Sequence, residues 1–302
     1  MDRLDEFALL LAIIERGSLS GAAAKTGRSP AAVTRILNQM EARLRVRLIE
    51  RTTRRLAPTD AGVRLAEHAR RVLGDYEDAV QDVTGMVAAP SGVLRVTAPL
   101  VFGRRHVAPL IARFLDQNPQ TRAELLLTNN IVDLIEANID IAVRIGPMAP
   151  SNLVARRVGE VRHVVVASPA YLARCGEPAT VAALARHEMV FQAAAEGLHA
   201  WEFVLPGGAI ARVRPNGRFV VNEAEAAIDA ACAGRGLVRA RSYQVVDELA
   251  SAKLIRVLRL YEPPPTPVNL VFAGRRYLAQ RIRTFVDLAA LELEPYLSLN
   301  CA

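Results

Sequence analysis

Cysteine is scarce in this chain of 302 residues: Cys175, Cys232 and Cys301 stand far apart and form no CxxC pair. That excludes a disulfide framework and fits a reducing compartment. The five histidines, at 68, 106, 163, 187 and 199, lack ligand spacing, so no metal site is expected. No apolar run reaches the length that spans a bilayer. The opening MDRLDEFALLLAIIERG is acidic first and amphipathic, unlike a basic leader with a cleavage site, and a cytoplasmic protein is expected. Catalytic signatures are missing too. There is no G-x-S-x-G, P-loop or H-E-x-x-H, and GRG at 234–236 lacks the third glycine of a nucleotide fingerprint and reads as a tight turn. No enzyme activity, catalytic residue or cofactor is expected. A free solute-binding protein would need a leader and no basic head, and an architectural DNA protein no ligand cleft.

What is present begins with arginine. Lys25 and Lys253 are the only lysines, and the net charge is +7. Residues 1–59 hold eleven basic and six acidic side chains, so one fifth of the chain carries five of the seven excess charges. A small basic segment beside a near-neutral remainder suggests a polyanion partner, unless the chain is simply arginine-rich throughout. The length exceeds one ordinary core, so two or three domains are expected.

Leu4, Phe7, Ala8, Leu11 and Ile14 recur at steps of three and four, which predicts a helix ending at Gly17. Ser18 is a good N-cap for a second helix, LSGAAAKT, closed by Gly27. Ser29 then caps a third helix with Pro30 at its first position and Val33, Ile36, Leu37, Met40 and Leu44 as its buried stripe. Two helices on a tight glycine turn are either an ordinary hairpin or a helix-turn-helix, whose second helix enters the major groove by its leading end. Ala31 and Ala32 are small enough for close approach to base edges, and Thr34 and Arg35 project from the same end with Arg28 just before it. In RLIERTTRRLAPTDAG two short strands are expected to form a wing, with Arg51, Thr52, Thr53, Arg54 and Arg55 meeting phosphates. Thr59 or Asp60 caps the next helix.

The stretch from FALLLAIIERGSLSGAAAKTGRSPAAVTR through RTTRRLAPTDAG resembles, without a gap, the N-terminal domain of LysR-type transcriptional regulators. The resemblance implies that positions 29–35 lie in the major groove and that Arg51 to Arg55 grip the backbone and minor groove. The expected head is a winged helix-turn-helix over residues 1–59.

A helix without proline follows over 60–88. Leu65, Ala69, Val72, Tyr76, Ala79, Val83 and Met86 keep 4-3 spacing, which is the rule of a two-stranded coiled coil. These positions are expected to form a dimer seam, the alternative being a helix lying on its own domain. The resemblance also implies pairing through this helix. Residues 89–92, with Pro90 and Gly92, read as a hinge.

From 93 onward strand and helix patterns alternate. GVLRVTAP, RAELLLT and IDIAVRIG read as strands, RRHVAPLIARFLDQNP and NNIVDLIEAN as helices. This predicts parallel sheets in a two-lobed α/β domain, lobe I from 93–160 and 268–302 and lobe II from 161–267. The helix after Gly103 is expected to aim free N–H groups at residues 98–102, which favours an anion. VDLIEANIDIAVRIG, ASPAYLARCGEP and VNEAEAAIDAACAGRGL resemble landmarks of the same family's effector domain, which is like periplasmic binding proteins. The resemblance implies a cleft lined by Thr97, Pro99, Leu100, Val101, Phe102, Thr128, Arg144, Ile145, Phe203, Phe219 and Asn222. It departs from the family pattern at Pro99 and Leu100, where many members carry Ser or Thr, and at LVRARS, where Arg239 and Arg241 either line an anionic pocket or, as the favoured reading, face solvent. The expected partners are double-stranded DNA, further copies of the chain as a dimer or tetramer, RNA polymerase and a small-molecule effector, acidic or aromatic; no membrane partner is expected.

Overall fold

The computed structural model describes residues 2–51, 56–84, 89–148, 152–192, 200–214, 217–274 and 278–299. The chain divides into two compact units, Met1–Gly92 and Val93–Ala302.

The first unit is built from α1 (Arg3–Arg16), α2 (Leu19–Thr26), α3 (Pro30–Leu44), the strands β1 (Ile49–Arg51) and β2 (Leu56–Pro58), and α4 (Asp60–Thr84). Side chains do the capping. Ser18 Oγ accepts from Gly21 N at 3.1 Å and Ser29 Oγ from Ala32 N at 3.2 Å. Gly27, at φ +63°, ends α2 in the left-handed region that glycine enters without penalty. Leu9, Leu10, Ile13, Ala22, Ala23 and Val33 join Ile36, Leu37, Met40 and Leu48 in one core. The buried stripe of α1 is Glu6, Leu9, Leu10, Ala12 and Ile13, rotated from the expected one: Leu4, Phe7, Leu11 and Ile14 are half-buried and Ala8 is exposed. The run LLLAII is apolar on most sides, so periodicity alone does not choose the inward face. Leu44 also departs from its expected stripe, at 42 % exposed.

Glu41 Oε1 accepts from Leu48 N and Ile49 N, at 2.7 and 3.1 Å, which fastens the wing to α3. Thr59 caps α4, its Oγ1 accepting from Gly62 N at 3.0 Å and donating to Arg47 O at 2.7 Å. Gly62 is required there, because a Cβ would stand 2.0 Å from Leu48 O.

The second unit continues with β3 (Gly92–Ala98), α5 (Leu100–Phe102), a π-helical segment (Gly103–Val107), α6 (Ala108–Gln117), β4 (Thr121–Leu127), β5 (Ile141–Ile145), β6 (Leu153–Val161), β7 (His163–Ala167) and α7 (Pro169–Cys175). It goes on with β8 (Met189–Gln192), the antiparallel pair β9 (Trp201–Val204) and β10 (Ile210–Val213), β11 (Phe219–Val221), α8 (Ala224–Cys232), β12 (Leu237–Arg241), α9 (Val246–Ala250), β13 (Ile255–Val257), β14 (Thr266–Ala273) and α10 (Gln280–Leu299). Two five-stranded sheets result, ordered β4-β3-β5-β14-β6 in lobe I and β11-β8-β12-β7-β13 in lobe II.

Both sheets are mixed, not parallel as the alternation predicts. β3 runs parallel to β5, but β14 is antiparallel to β5 and β6. β8 is parallel to β11 and β12, but β7 is antiparallel to β12 and β13. The cause is the crossing between lobes: β6 leads straight into β7, and β14 returns to the first sheet from the opposite direction. NNIVDLIEAN is not a helix either. Asp133 Oδ1 accepts from Ile135 N and Glu136 N, at 2.8 and 3.0 Å, and Asn138 sits at φ +54°, so the segment closes into turns.

Candidate nucleic-acid interface and effector cleft

The leading end of α3 is open to solvent. Ser29, Pro30, Ala31 and Arg35 are exposed, while Ala32 and Thr34 are half-buried. Pro30, Ala31, Thr34, Arg35, Asn38 and Gln39 line one open concave face. Asn38 and Gln39 are additions to the expected set, and their signal was available in the helical steps from Thr34 and Arg35. Thr34 Oγ1 donates to Pro30 O at 3.0 Å, so its hydroxyl hydrogen is engaged within α3. Arg28 pairs with Asp5 at 3.3 Å and ties the turn to α1. The Arg51 side chain and Thr52, Thr53, Arg54 and Arg55 lie outside the described residues. A second ion pair braces the head: Arg43 donates to both Glu6 oxygens at 2.9 and 2.5 Å, and this holds the Glu6 carboxyl below its usual range.

The expected seam on α4 divides. Ala69 is buried within its own chain and Leu65 packs against the head core, so the first of these heptad positions serves the head instead. Val72 and Tyr76 are 38 % and 54 % exposed. The side chains of Ala79 and Val83, and Met86 altogether, fall outside the described residues.

Between the lobes of the second unit lies a cleft of about 750 Å³, within the range of small-molecule sites. Pro99, Leu100, Val101, Thr128, Ile145 and Asn222 of the expected set line it. The other five do not. Thr97 is buried, its Oγ1 donating to Leu126 O at 3.0 Å. Phe102 is fully buried in the lobe I core against His106 and Tyr243. Phe203 is core in lobe II, packed in the cluster of Phe191 and Trp201. Phe219, 45 % exposed, stands on β11 away from the lining. Arg144 donates to Val132 O at 2.9 Å and braces the turns after β4. Four of these, Thr97, Arg144, Phe203 and Phe219, sit in strands, where side chains alternate between faces, so a one-residue difference moves a residue from lining to core.

The anion site expected after Gly103 is also displaced. The helix begins at Leu100, and its first amide donates to Asn129 Oδ1 at 3.1 Å. Sequence reasoning missed Asn129, Asn130, His163, Gln192, Trp201 and Glu223, and with them Tyr243 and Gln244, while of the two alternatives for Arg239 and Arg241 it favoured solvent. Asn129 and Asn130 follow β4 directly, at a carboxyl strand end, which is a readable signal. Arg239 and Arg241 line the cleft and do not simply face solvent. Val238 and Ala240 pack beneath α8 with Ala227 and Ile228, so period-two alternation turns both arginines to the opposite side.

Electrostatics in this wall are unusual. Burial, with Arg241 beside it, lowers Arg239 to about 10, and burial lowers Arg241 as well. His163, paired with Arg241 across the β7–β12 ladder, falls to about 3 through burial and then the two arginines, so it is neutral near pH 7. The lobes are tied by Arg104 with Glu225 and by Arg105 with Asp247 at 3.2 Å.

Comparison with known proteins decides the family. Residues 4–63 match the bacterial regulatory helix-turn-helix protein, lysR family, and residues 88–293 match the LysR substrate binding domain. The chain belongs to the LysR family. This LysR-type regulator is 33 % identical over 304 residues to an HTH-type transcriptional regulator of Xanthomonas campestris, covering 99 % of this chain and 88 % of that one. It is 30 % identical to the HTH-type transcriptional activator TtdR of Escherichia coli, covering 94 % of this chain and 92 % of that protein. Among solved structures, CrgA, a LysR-type transcriptional regulator from Neisseria meningitidis, aligns with a TM-score of 0.62 at 30 % identity over 97 % of this chain and 99 % of CrgA. AphB, the Vibrio cholerae virulence activator, gives 0.62 at 26 % identity over 97 % of this chain and all of AphB. The LysR-type regulator therefore binds DNA through its helix-turn-helix and carries an effector-binding α/β domain. No described helix is long and apolar enough to cross a membrane.

Proposed function

We propose that this LysR-type regulator reads an inverted-repeat promoter site as a dimer or tetramer and is switched by a small molecule in the inter-lobe cleft. The observation that carries the reading is the leading end of α3: capped by Ser29, kept slim by Ala31, exposed, and flanked by Arg35. In this reading Ala31, Ala32, Thr34 and Arg35 meet base edges, while Arg28 and Arg51 to Arg55 act near phosphates. Two copies joined along α4, through Val72 and Tyr76, present two recognition helices to two half-sites. Switching requires the effector to prefer one arrangement of the assembly over another. RNA polymerase is the further partner, and neither metal nor cofactor takes part.

The test is binding of purified protein to its own upstream DNA, by fluorescence anisotropy at several salt concentrations. The expected result is a preference for that DNA over random duplex and an affinity that falls steeply as salt rises. Absence of preference for any genomic fragment at low ionic strength overturns the reading.

A further inference from the structure

One wall of the cleft carries charge that operator recognition does not use. Arg239 and Arg241 stand two residues apart on one face of β12 and form no ion pair with a described acid. Several other arginines of this domain are paired: Arg256 with Glu262 at 2.6 Å, Arg212 with Glu202 at 2.8 Å, Arg105 with Asp247 at 3.2 Å. Glu202, whose charge reaches Arg239, is thus already engaged by Arg212. Arg241 Nη1 is buried with no hydrogen-bond partner. His163 opposite it supplies no countercharge, since an imidazole is either neutral, as burial keeps it here, or cationic. Two adjacent, half-buried guanidinium groups without acids beside them repel one another and cost the empty protein stability. Their arrangement is relieved by a ligand that brings the missing negative charge, and two cations match two negative charges.

A second orphan faces the same cavity. Glu223 Oε2 accepts from Ala226 N at 3.0 Å and caps α8, whereas its Oε1 is buried and receives no donor. An acceptor buried in this way requires a hydroxyl or amino donor from whatever fills the cleft. Thr128 and Asn129 add neutral polar contacts from the lobe I side.

We infer that the cleft takes a small organic dianion whose acidic groups rest on Arg239 and Arg241 and whose hydroxyl or amino group donates to Glu223. The inference rests on the reading of this cleft as the effector site. Dicarboxylates and small phosphate monoesters share the required chemistry.

The experiment uses full-length protein, thermal unfolding and calorimetry. Succinate, malate and glycerol 3-phosphate are the dianions; butyrate, putrescine and inorganic phosphate are the controls. At least one organic dianion is expected to bind and raise the unfolding temperature, with butyrate and putrescine inert. Succinate and malate against glycerol 3-phosphate identify the source of the charge. Tighter binding of malate than of succinate, lost in Glu223→Gln, reports the donor contact. Arg239→Gln and Arg241→Gln are each expected to weaken the dianion about tenfold to a hundredfold. Their unliganded unfolding temperatures are expected to hold or rise, since each removes an unpaired, half-buried charge. Dianions that do not bind, that bind no better than butyrate or phosphate, or that bind both arginine variants unchanged overturn the inference. So does a fall in unliganded stability without loss of binding, which marks the arginines as braces. Operator binding is measured alongside: if it stays specific while every dianion fails, the dianion is rejected and the regulator stands; if both fail, both readings fall.

Discussion

Arg35 is the side chain on which sequence discrimination is expected to turn. It is exposed at the leading end of α3, beside residues too small to block a groove. Arg35→Ala is expected to weaken operator binding by about 1–3 kcal/mol if it contacts a base. Equal losses on operator and random DNA, measured by anisotropy, would reassign it to a phosphate. Gly62 carries the opposite kind of constraint, set inside the fold. A methyl there meets Leu48 O at 2.0 Å, so Gly62→Ala must push α4 off the wing. The expected cost is about 1–3 kcal/mol of stability, read by denaturant unfolding. Unchanged stability would show that the contact relaxes freely.

Among elements, α1 and α3 are clasped by Glu6 and Arg43, with the Glu6 side chain only 10 % exposed. Arg43 holds the carboxyl below the usual 4.5, against the opposing pull of burial. A depressed carboxylate contributes stability above its unfolded value and loses it as pH falls through its folded value. Glu6→Gln is therefore expected to destabilise the head at neutral pH, by a margin that shrinks below the usual glutamate range. A difference independent of pH, in thermal unfolding from pH 7 to pH 3, would contradict this. On α4 the apolar positions beyond the head, Val72 and Tyr76, remain open to a partner. Tyr76→Asp is expected to shift light-scattering mass toward the monomer; an unaltered oligomer would place the seam elsewhere.

For the whole molecule, the concentration of positive charge in the first 59 residues predicts a steep dependence of DNA affinity on salt. Arg54→Ala is expected to lessen that slope by about one and to weaken all duplexes alike. A sequence-selective loss would instead give Arg54 a base contact. Much of the architecture was legible: caps at Ser18 and Ser29, glycine stops at Gly17 and Gly27, and the lobe I strands GVLRVTAP, RAELLLT and IDIAVRIG follow from local chemistry. The cleft was less so. Pro99, Leu100, Val101, Thr128, Ile145 and Asn222 line it, but Phe102 and Phe203 were absorbed by cores that large aromatics fill well.

The sequence by itself determined the helical head, the capped and slender start of α3, the two-lobed alternation and the family. Each rests on local signals: cap residues, periodicity and an unbroken run of motif. Tertiary structure alone decided sheet direction, which face of α1 is buried, that Leu65 packs on the head core, and that Arg239 and Arg241 look into the cleft. Alternation places those two arginines together, but only α8, by covering the other face of β12, settles which side they occupy.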